Sequence, residues 1–142
     1  MGLRYRLDHG LGLTIIVGDG VITADEWRVH VSRMTGDPEW PPGRLALTDL
    51  ATADTSAITG DDIRGMATAF RSGDSKLSDR KGAIVAGDTA YGNAVTFQLT
   101  MGPTGLYIVI FSNIDDACVW LGINTDDVAP TIEELRRDIR SS

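Results

Sequence analysis

Short apolar segments alternate along the chain with longer segments in which apolar residues recur at helical spacing. Apolar runs bounded by Gly, Pro or Asp are typical of strands. The run at 82–86 has almost no polar alternation, which predicts burial on both faces, as in a parallel sheet. We therefore expect five strands, at Tyr5–Leu7, Leu13–Val17, Arg44–Leu50, Gly82–Ala86 and Leu106–Phe111.

Helices are predicted between the later strands and after the last one. Thr23 and Glu26 form a capping box, in which a hydroxyl and a carboxylate bind free amide groups reciprocally, at the start of a helix that runs to about Met34. The second helix is expected to open at Thr59 because the following aspartates favour a first turn. The other three are expected to begin at Asp88, after Ser112, and at Pro130.

Apolar stripes on these helices predict which sides face the core. Trp27, Val31 and Met34 share one face of the first helix. On the third helix we expect the stripe Tyr91, Val95 and Leu99 to be buried, with Ala94 and Phe97 adjacent, and on the fifth helix the narrow stripe Ile132, Leu135 and Ile139. The fifth helix is expected to pack on the body of the protein or on a second subunit.

The order of elements, β-β-α-β-α-β-α-β-α-α, predicts an α/β fold. Strands that alternate with amphipathic helices favour a mostly parallel sheet covered by helices, with right-handed crossovers. The first two strands lie too close in sequence for a crossover, because only residues 8–12 separate them. They predict an opening antiparallel hairpin, so the sheet is expected to be mixed.

Composition narrows the classes of partner and compartment. The 142 residues suit one domain, and the net charge of −7 argues against nucleic acid or anionic lipid surfaces as partners. The single cysteine, Cys118, permits no intrachain disulfide, which fits a reducing compartment. No apolar run approaches the roughly 18 residues that span a bilayer, and the first residues lack a signal core. These features predict a cytoplasmic protein without membrane insertion.

The residue inventory does not predict an enzyme. His9, His30 and Cys118 have no metal-ligand spacing, so we expect neither a metal nor another cofactor. The chain has no P-loop and no Gly-x-Ser-x-Gly elbow. Asp49 lies at the expected end of a strand, like the acceptor of an aspartyl-phosphate receiver domain, but the acidic pair and the lysine of such domains are missing. A hydrolase that uses Asp49 or Asp54 is the weakest alternative, because no complete catalytic set accompanies them.

The loop from Asp54 to Ile58 is the main candidate for a docking surface. It follows a strand and precedes a helix, and α/β proteins place their sites at this edge of the sheet. The polar side chains of Asp54, Thr55 and Ser56 suit docking or phosphorylation, or local hydrogen bonds within a turn. Trp40 lies among prolines in another loop, where it is expected to pack on the edge of the core or, alternatively, to form a platform for a ligand.

Several segments resemble a bacterial group, the SpoIIAA-like proteins of STAS-like fold, sometimes described as STAS/SEC14 domains. The matching segments run from Gly20 to Glu26, from Asp37 to Asp49, at Tyr91-Gly92, and from Phe111 to Gly122. The resemblance therefore implies a domain at 1–122 and a C-terminal helical extension at 123–142. It also implies a tendency to form homodimers.

Related STAS domains are anti-sigma-factor antagonists that are regulated by phosphorylation of a serine in an Asp-Ser-Ser-Gly-Leu loop. The segment Asp54-Thr-Ser-Ala-Ile58 is similar to that loop and would place Ser56 at the acceptor position. It departs from the family at Thr55 and at Ala57, which replace a serine and the glycine. The carboxylates of Asp61 and Asp62, just beyond, would repel a phosphate.

Two functional hypotheses follow. The first is a non-enzymatic regulatory module, with an anti-sigma factor or a kinase of that type as partner, that docks through Asp54, Thr55, Ser56 and Ile58. The second, from the SEC14-like side of the resemblance, is a carrier or binder of a small apolar, lipid-like ligand. Its pocket is expected to be lined by Trp27, Trp40, Tyr91, Phe97 and Met101.

Overall fold

The computed structural model describes residues 2–73, 79–102 and 105–142, without the side chains of 68–73. These residues form an α/β fold with a five-stranded mixed sheet and five helices. The elements are β1 (Leu3–Asp8), β2 (Leu13–Val21), α1 (Ala24–Thr35), β3 (Leu45–Asp54), α2 (Gly60–Gly73), β4 (Arg80–Ala86), α3 (Asp88–Met101), β5 (Leu106–Phe111), α4 (Ile114–Leu121) and α5 (Thr125–Arg140).

The strands lie in the sheet in the order in which they occur in the chain. β1 pairs with β2 in antiparallel orientation, and every later neighbour is parallel. The predicted opening hairpin and mostly parallel sheet are therefore confirmed. Three successive crossovers step in one direction across the sheet, and right-handed connections then place α1, α2 and α3 on the same face.

Two apolar cores lie on opposite faces of the sheet. The front layer consists of α1, α2 and α3, whose apolar residues pack with Leu50 and Ile84. The back layer consists of α4 and α5, which pack on Leu13, Ile15 and Leu47. Alternate residues of each strand thus point to different cores, as the pleat of a strand requires.

The last helix is part of the back layer. The expected stripe of Ile132, Leu135 and Ile139 is buried there, and Val128 extends it by one turn. The helix begins earlier than predicted, because Asn124 caps it by accepting a hydrogen bond from the backbone N–H of Asp126. The proline that was expected to open the helix lies inside it.

Two strands continue past polar residues at which we expected them to stop. β2 crosses the Gly18–Gly20 segment through a shift in register against β3, so that the two glycines accommodate a bulge. β3 extends to Asp54, and Asp49 lies within the strand rather than at its end. The strand tolerates this charge because Arg136 of α5 forms an ion pair with Asp49 at 3.0 Å between Nη2 and Oδ2.

The buried face of α3 differs from the prediction. Ala90, Ala94 and Met101 are buried, whereas Tyr91 is 56% exposed and Leu99 is 72% exposed. The predicted stripe contains the larger apolar residues, but the helix turns its small residues to the sheet because small side chains permit close approach.

The predicted helix cap at Thr59 is confirmed, because Thr59 and Asp62 exchange hydrogen bonds between their side chains and backbone N–H groups. At α4 the cap is Asn113 rather than Ser112.

Candidate ligand cavity

A row of small residues crosses the front face of the sheet. Thr14 of β2 pairs in register with Ala46 of β3, and Ala46 pairs with Gly82 of β4. These side chains point to the front layer, where larger residues would normally fill the space between the sheet and its helices. Because these three neighbouring positions carry a small side chain or, at Gly82, none, a depression remains in the middle of the sheet.

Aromatic and long apolar side chains form the opposite wall. Trp27 of α1 and Phe97 of α3 meet edge to face above the depression, with ring centroids 6.4 Å apart. Met34 at the end of α1 and Met101 at the end of α3 line the same space, and Trp40 adds to the wall from the loop that precedes β3. The row of small residues and this wall enclose what we call the front cavity.

The front cavity has a volume of about 130 Å³. That volume is enough for several water molecules, but few polar groups are present to bind them. Ile16, Ala46 and Thr48 remain partly accessible although they lie on interior strands beneath helices, as expected if the space above them is unfilled. Apolar cavities of comparable size stay dry and accept small hydrocarbons.

His30 contributes a polar but uncharged ring to the wall. It is 5% exposed, and the ring of Tyr5 approaches it edge on at a centroid distance of 5.9 Å. Burial lowers the pKa of His30 from 6.5 to about 4, because the charged imidazolium is poorly solvated there. The wall is therefore uncharged at this position at neutral pH.

The indole Nε1 of Trp27 is buried and has no hydrogen-bond partner among the described residues. A buried donor without an acceptor costs about 1–3 kcal/mol.

The loop from Asp54 to Ile58 closes one end of the front cavity. Thr55 and Ile58 are buried and line the cavity. The side-chain amide of Asn93 in α3 donates to the carbonyl oxygens of both residues, at 2.8 and 3.2 Å. Thr55 also donates its backbone N–H to the carbonyl of Thr89. These bonds fix the inner side of the loop to α3.

The outer side of the same loop reaches the protein surface at Ser56. This residue is exposed, and its backbone N–H donates to Asp54 Oδ1 at 2.9 Å, as in a turn closed by an aspartate. Hydrogen bonds from Ser56 hold the pKa of Asp54 below its usual value. Of the four residues that we expected on a docking surface, Thr55 and Ile58 point inward instead, because the turn places them against α3.

Four of the five residues expected to line an apolar pocket lie together around the front cavity: Trp27, Trp40, Phe97 and Met101. Tyr91 does not, because it lies on the exposed side of α3. The sequence reasoning missed the small residues Thr14, Ala46 and Gly82. Only part of their signal lies in the sequence: alternate positions of a strand face one core, but the register that brings three small residues together comes from the strand pairing.

Charged side chains on the back face link α5 to the sheet through ion pairs. Asp49 accepts hydrogen bonds from Arg136 and from the backbone N–H of Ala51, so that both of its carboxylate oxygens have a partner. Arg140 forms two hydrogen bonds to Asp19, which also accepts one from Thr52. Hydrogen bonding to Arg140 lowers the pKa of Asp19. In this arrangement both carboxylates are occupied by structural partners.

Within the described residues, no group of three or more His, Cys, Asp or Glu side chains is placed to hold a metal ion. In the same part of the chain, no helix is both long enough and apolar enough to cross a membrane.

The chain matches neither a protein-family model nor a curated protein. The resemblance to SpoIIAA-like proteins therefore stays a prediction.

Proposed function

We propose that the protein binds a small apolar ligand in the front cavity. The observation that carries this proposal is an unfilled apolar space, lined by Trp27, Phe97 and Met101, between the sheet and its front helices. An empty cavity leaves its lining without van der Waals contacts, and a ligand of matching shape restores them. Natural ligand sites share this combination of an apolar lining and a few polar groups.

Titration with an uncharged apolar dye such as Nile red tests the proposal. We expect saturable binding with one dye per chain, together with a change in tryptophan fluorescence, because Trp27 and Trp40 lie on the wall. Native mass spectrometry of the gently purified protein would reveal a small molecule that co-purifies.

The variant Gly82→Val tests whether the dye binds in the front cavity or elsewhere on the protein. A Cβ atom at Gly82 has its nearest neighbour, Cγ1 of Ile108, at 3.7 Å, so the strand accepts a side chain that then occupies the cavity. We expect this variant to bind the dye at least about tenfold more weakly, which corresponds to about 1.4 kcal/mol. Tyr91→Ala, on the exposed side of α3, is the control and should bind like the wild type. Equal dye affinity of Gly82→Val and wild type would contradict the proposal.

A second candidate is the regulatory module that the resemblance implies, with a homodimer as its assembly state. Exposure of Ser56, on a loop whose inner side is fixed to α3, favours this candidate because a rigid loop presents its outer residue in one conformation. Pull-down with Ser56→Asp, Ser56→Ala and wild type as baits tests it against the organism's anti-sigma factors and kinases. A partner captured equally by all three would argue against a phosphorylation switch at Ser56.

A further inference from the structure

Acidic and basic residues are unequally represented in the lining of the front cavity. The chain has 20 acidic residues, yet among the described residues no Asp or Glu lines the cavity. Three basic residues do: Arg44, Arg80 and Lys81, whose ammonium turns away to the ring of Trp120 on the back face. In a protein with a net charge of −7, an apolar cavity lined by basic but, in the described part of the chain, no acidic side chains is a selective environment.

The two arginines lie at one end of the cavity. Arg44 directly precedes β3 and Arg80 opens β4, and each is two residues before a small residue of the cavity floor. Residues two apart in a strand point to the same face. The backbone N–H of Lys81 donates to the carbonyl of Arg44, which holds the two segments side by side. The guanidinium of Arg80 donates to the carbonyl of Gly43.

The cavity reaches the protein surface at this end. Arg44 lines the cavity and is also exposed, and it forms no ion pair with any described residue. Leu50, at the other end of the floor, is buried. From Arg44 to Leu50 the strand covers roughly 20 Å at about 3.3 Å per residue. The cavity therefore joins a cationic, exposed end to an apolar, enclosed end.

We infer that the ligand is a single-chain amphiphile with an anionic headgroup, whose chain occupies the front cavity and whose carboxylate or phosphate binds Arg44 and Arg80. This inference rests on the proposed function and specifies its ligand. Guanidinium groups bind both kinds of headgroup through paired hydrogen bonds, and an alkyl chain suits the apolar part.

Three ligands with the same chain test the inference by isothermal titration below their micelle concentrations: decanoate, decyl phosphate and decanol. We expect at least one of the two anions to bind wild-type protein about tenfold more tightly than decanol, as charge-assisted hydrogen bonds would give. Comparison of the two anions identifies the headgroup. In Arg44→Gln this preference should fall by about five- to tenfold while decanol affinity stays unchanged.

Arg137→Gln is the matched control. It removes the same charge, but from the exposed surface of α5 in the back layer, and Arg137 does not line the cavity. Its preference for the anions should remain that of the wild type. If Arg44→Gln fails to fold, salt titration of the wild type replaces it, because added salt should weaken binding of the anions and not of decanol.

The outcomes separate the inference from the proposed function. Binding of decanol as tightly as both anions overturns the inference and leaves the apolar cavity as a binding site. An equal loss of preference in Arg137→Gln and Arg44→Gln also overturns it, because the effect is then one of general charge. Absence of binding by all three ligands and by the uncharged dye removes the proposed function together with the inference.

Discussion

Replacement of Ala46 by Leu tests whether the space above the sheet is real. Ala46 lies in the floor of the front cavity, and its side chain is partly accessible although β3 is an interior strand. In a filled core a larger side chain strains its neighbours and typically costs 1–3 kcal/mol. In an unfilled cavity the same side chain gains contacts. The sign of the stability change therefore distinguishes the two cases.

The magnitude follows from the three carbons that Leu adds. At about 0.8 kcal/mol for each buried carbon, they contribute up to about 2.4 kcal/mol. Ordering the Leu side chain costs about 0.5–1 kcal/mol. We therefore expect Ala46→Leu to raise the free energy of unfolding by about 1.5 kcal/mol and to weaken binding of apolar ligands.

The control is Ala83→Leu, the same substitution on the neighbouring strand β4. Ala83 is completely buried, but it faces the back layer, where α4 and α5 pack closely on the sheet. We expect a loss of about 1–3 kcal/mol at this position. Urea unfolding at equilibrium, followed by circular dichroism, measures both variants. If Ala46→Leu is destabilised as much as Ala83→Leu, the front layer is already filled and the reasoning fails.

Two further predictions concern buried ionisable groups. His30 has a folded-state pKa of about 4 and an ordinary value of 6.5, so the unfolded chain binds the proton more readily. The neutral His30 therefore contributes at most about 3 kcal/mol to the free energy of unfolding above pH 6.5, and this contribution is lost as the pH falls toward 4. Urea unfolding across this range should show that the free energy of unfolding depends less on pH in His30→Gln than in the wild type. Equal pH dependence in the two proteins would refute the assignment. Arg136→Met should destabilise the fold by about 3–5 kcal/mol because it leaves the buried charge of Asp49 unpaired. The double variant Arg136→Met with Asp49→Leu should recover most of that loss, and a cumulative loss instead would show that the pair itself stabilises α5.

The alternation of strands and helices was predictable because each element carries a local pattern. Apolar runs marked the five strands, and helical spacing marked the amphipathic helices that cover them. The opening hairpin also followed, since only a short connection joins β1 to β2. The element order and the mixed character of the sheet therefore agree with the prediction.

The lengths of β2 and β3 were not predictable from local patterns. Both strands continue through charged or glycine-rich residues because partners distant in sequence make this possible. Asp49 remains inside β3 through Arg136, and the glycines of β2 accommodate a bulge. An ion pair between residues 87 positions apart leaves no signal in a window of ten residues.

Four of the residues that surround the front cavity were predicted from their aromatic or long side chains, and the error at Tyr91 has a physical reason. Size alone indicated a buried position, but this part of α3 packs through Ala90 and Ala94, and Tyr91 and Leu99 remain outside. The cavity itself arises from what is missing on the strands. Its prediction requires the register of Thr14, Ala46 and Gly82 across three strands, which depends on tertiary structure.

Under the proposed function, the row of small residues also couples the lifetime of the protein to the supply of a ligand. A molecule that binds only the native state raises stability by about 2.7 kcal/mol when its free concentration is a hundred times its dissociation constant. Proteases act on the unfolded fraction, which falls roughly a hundredfold under that condition. Cells that contain the ligand would then accumulate this protein, and cells that lack it would degrade it faster.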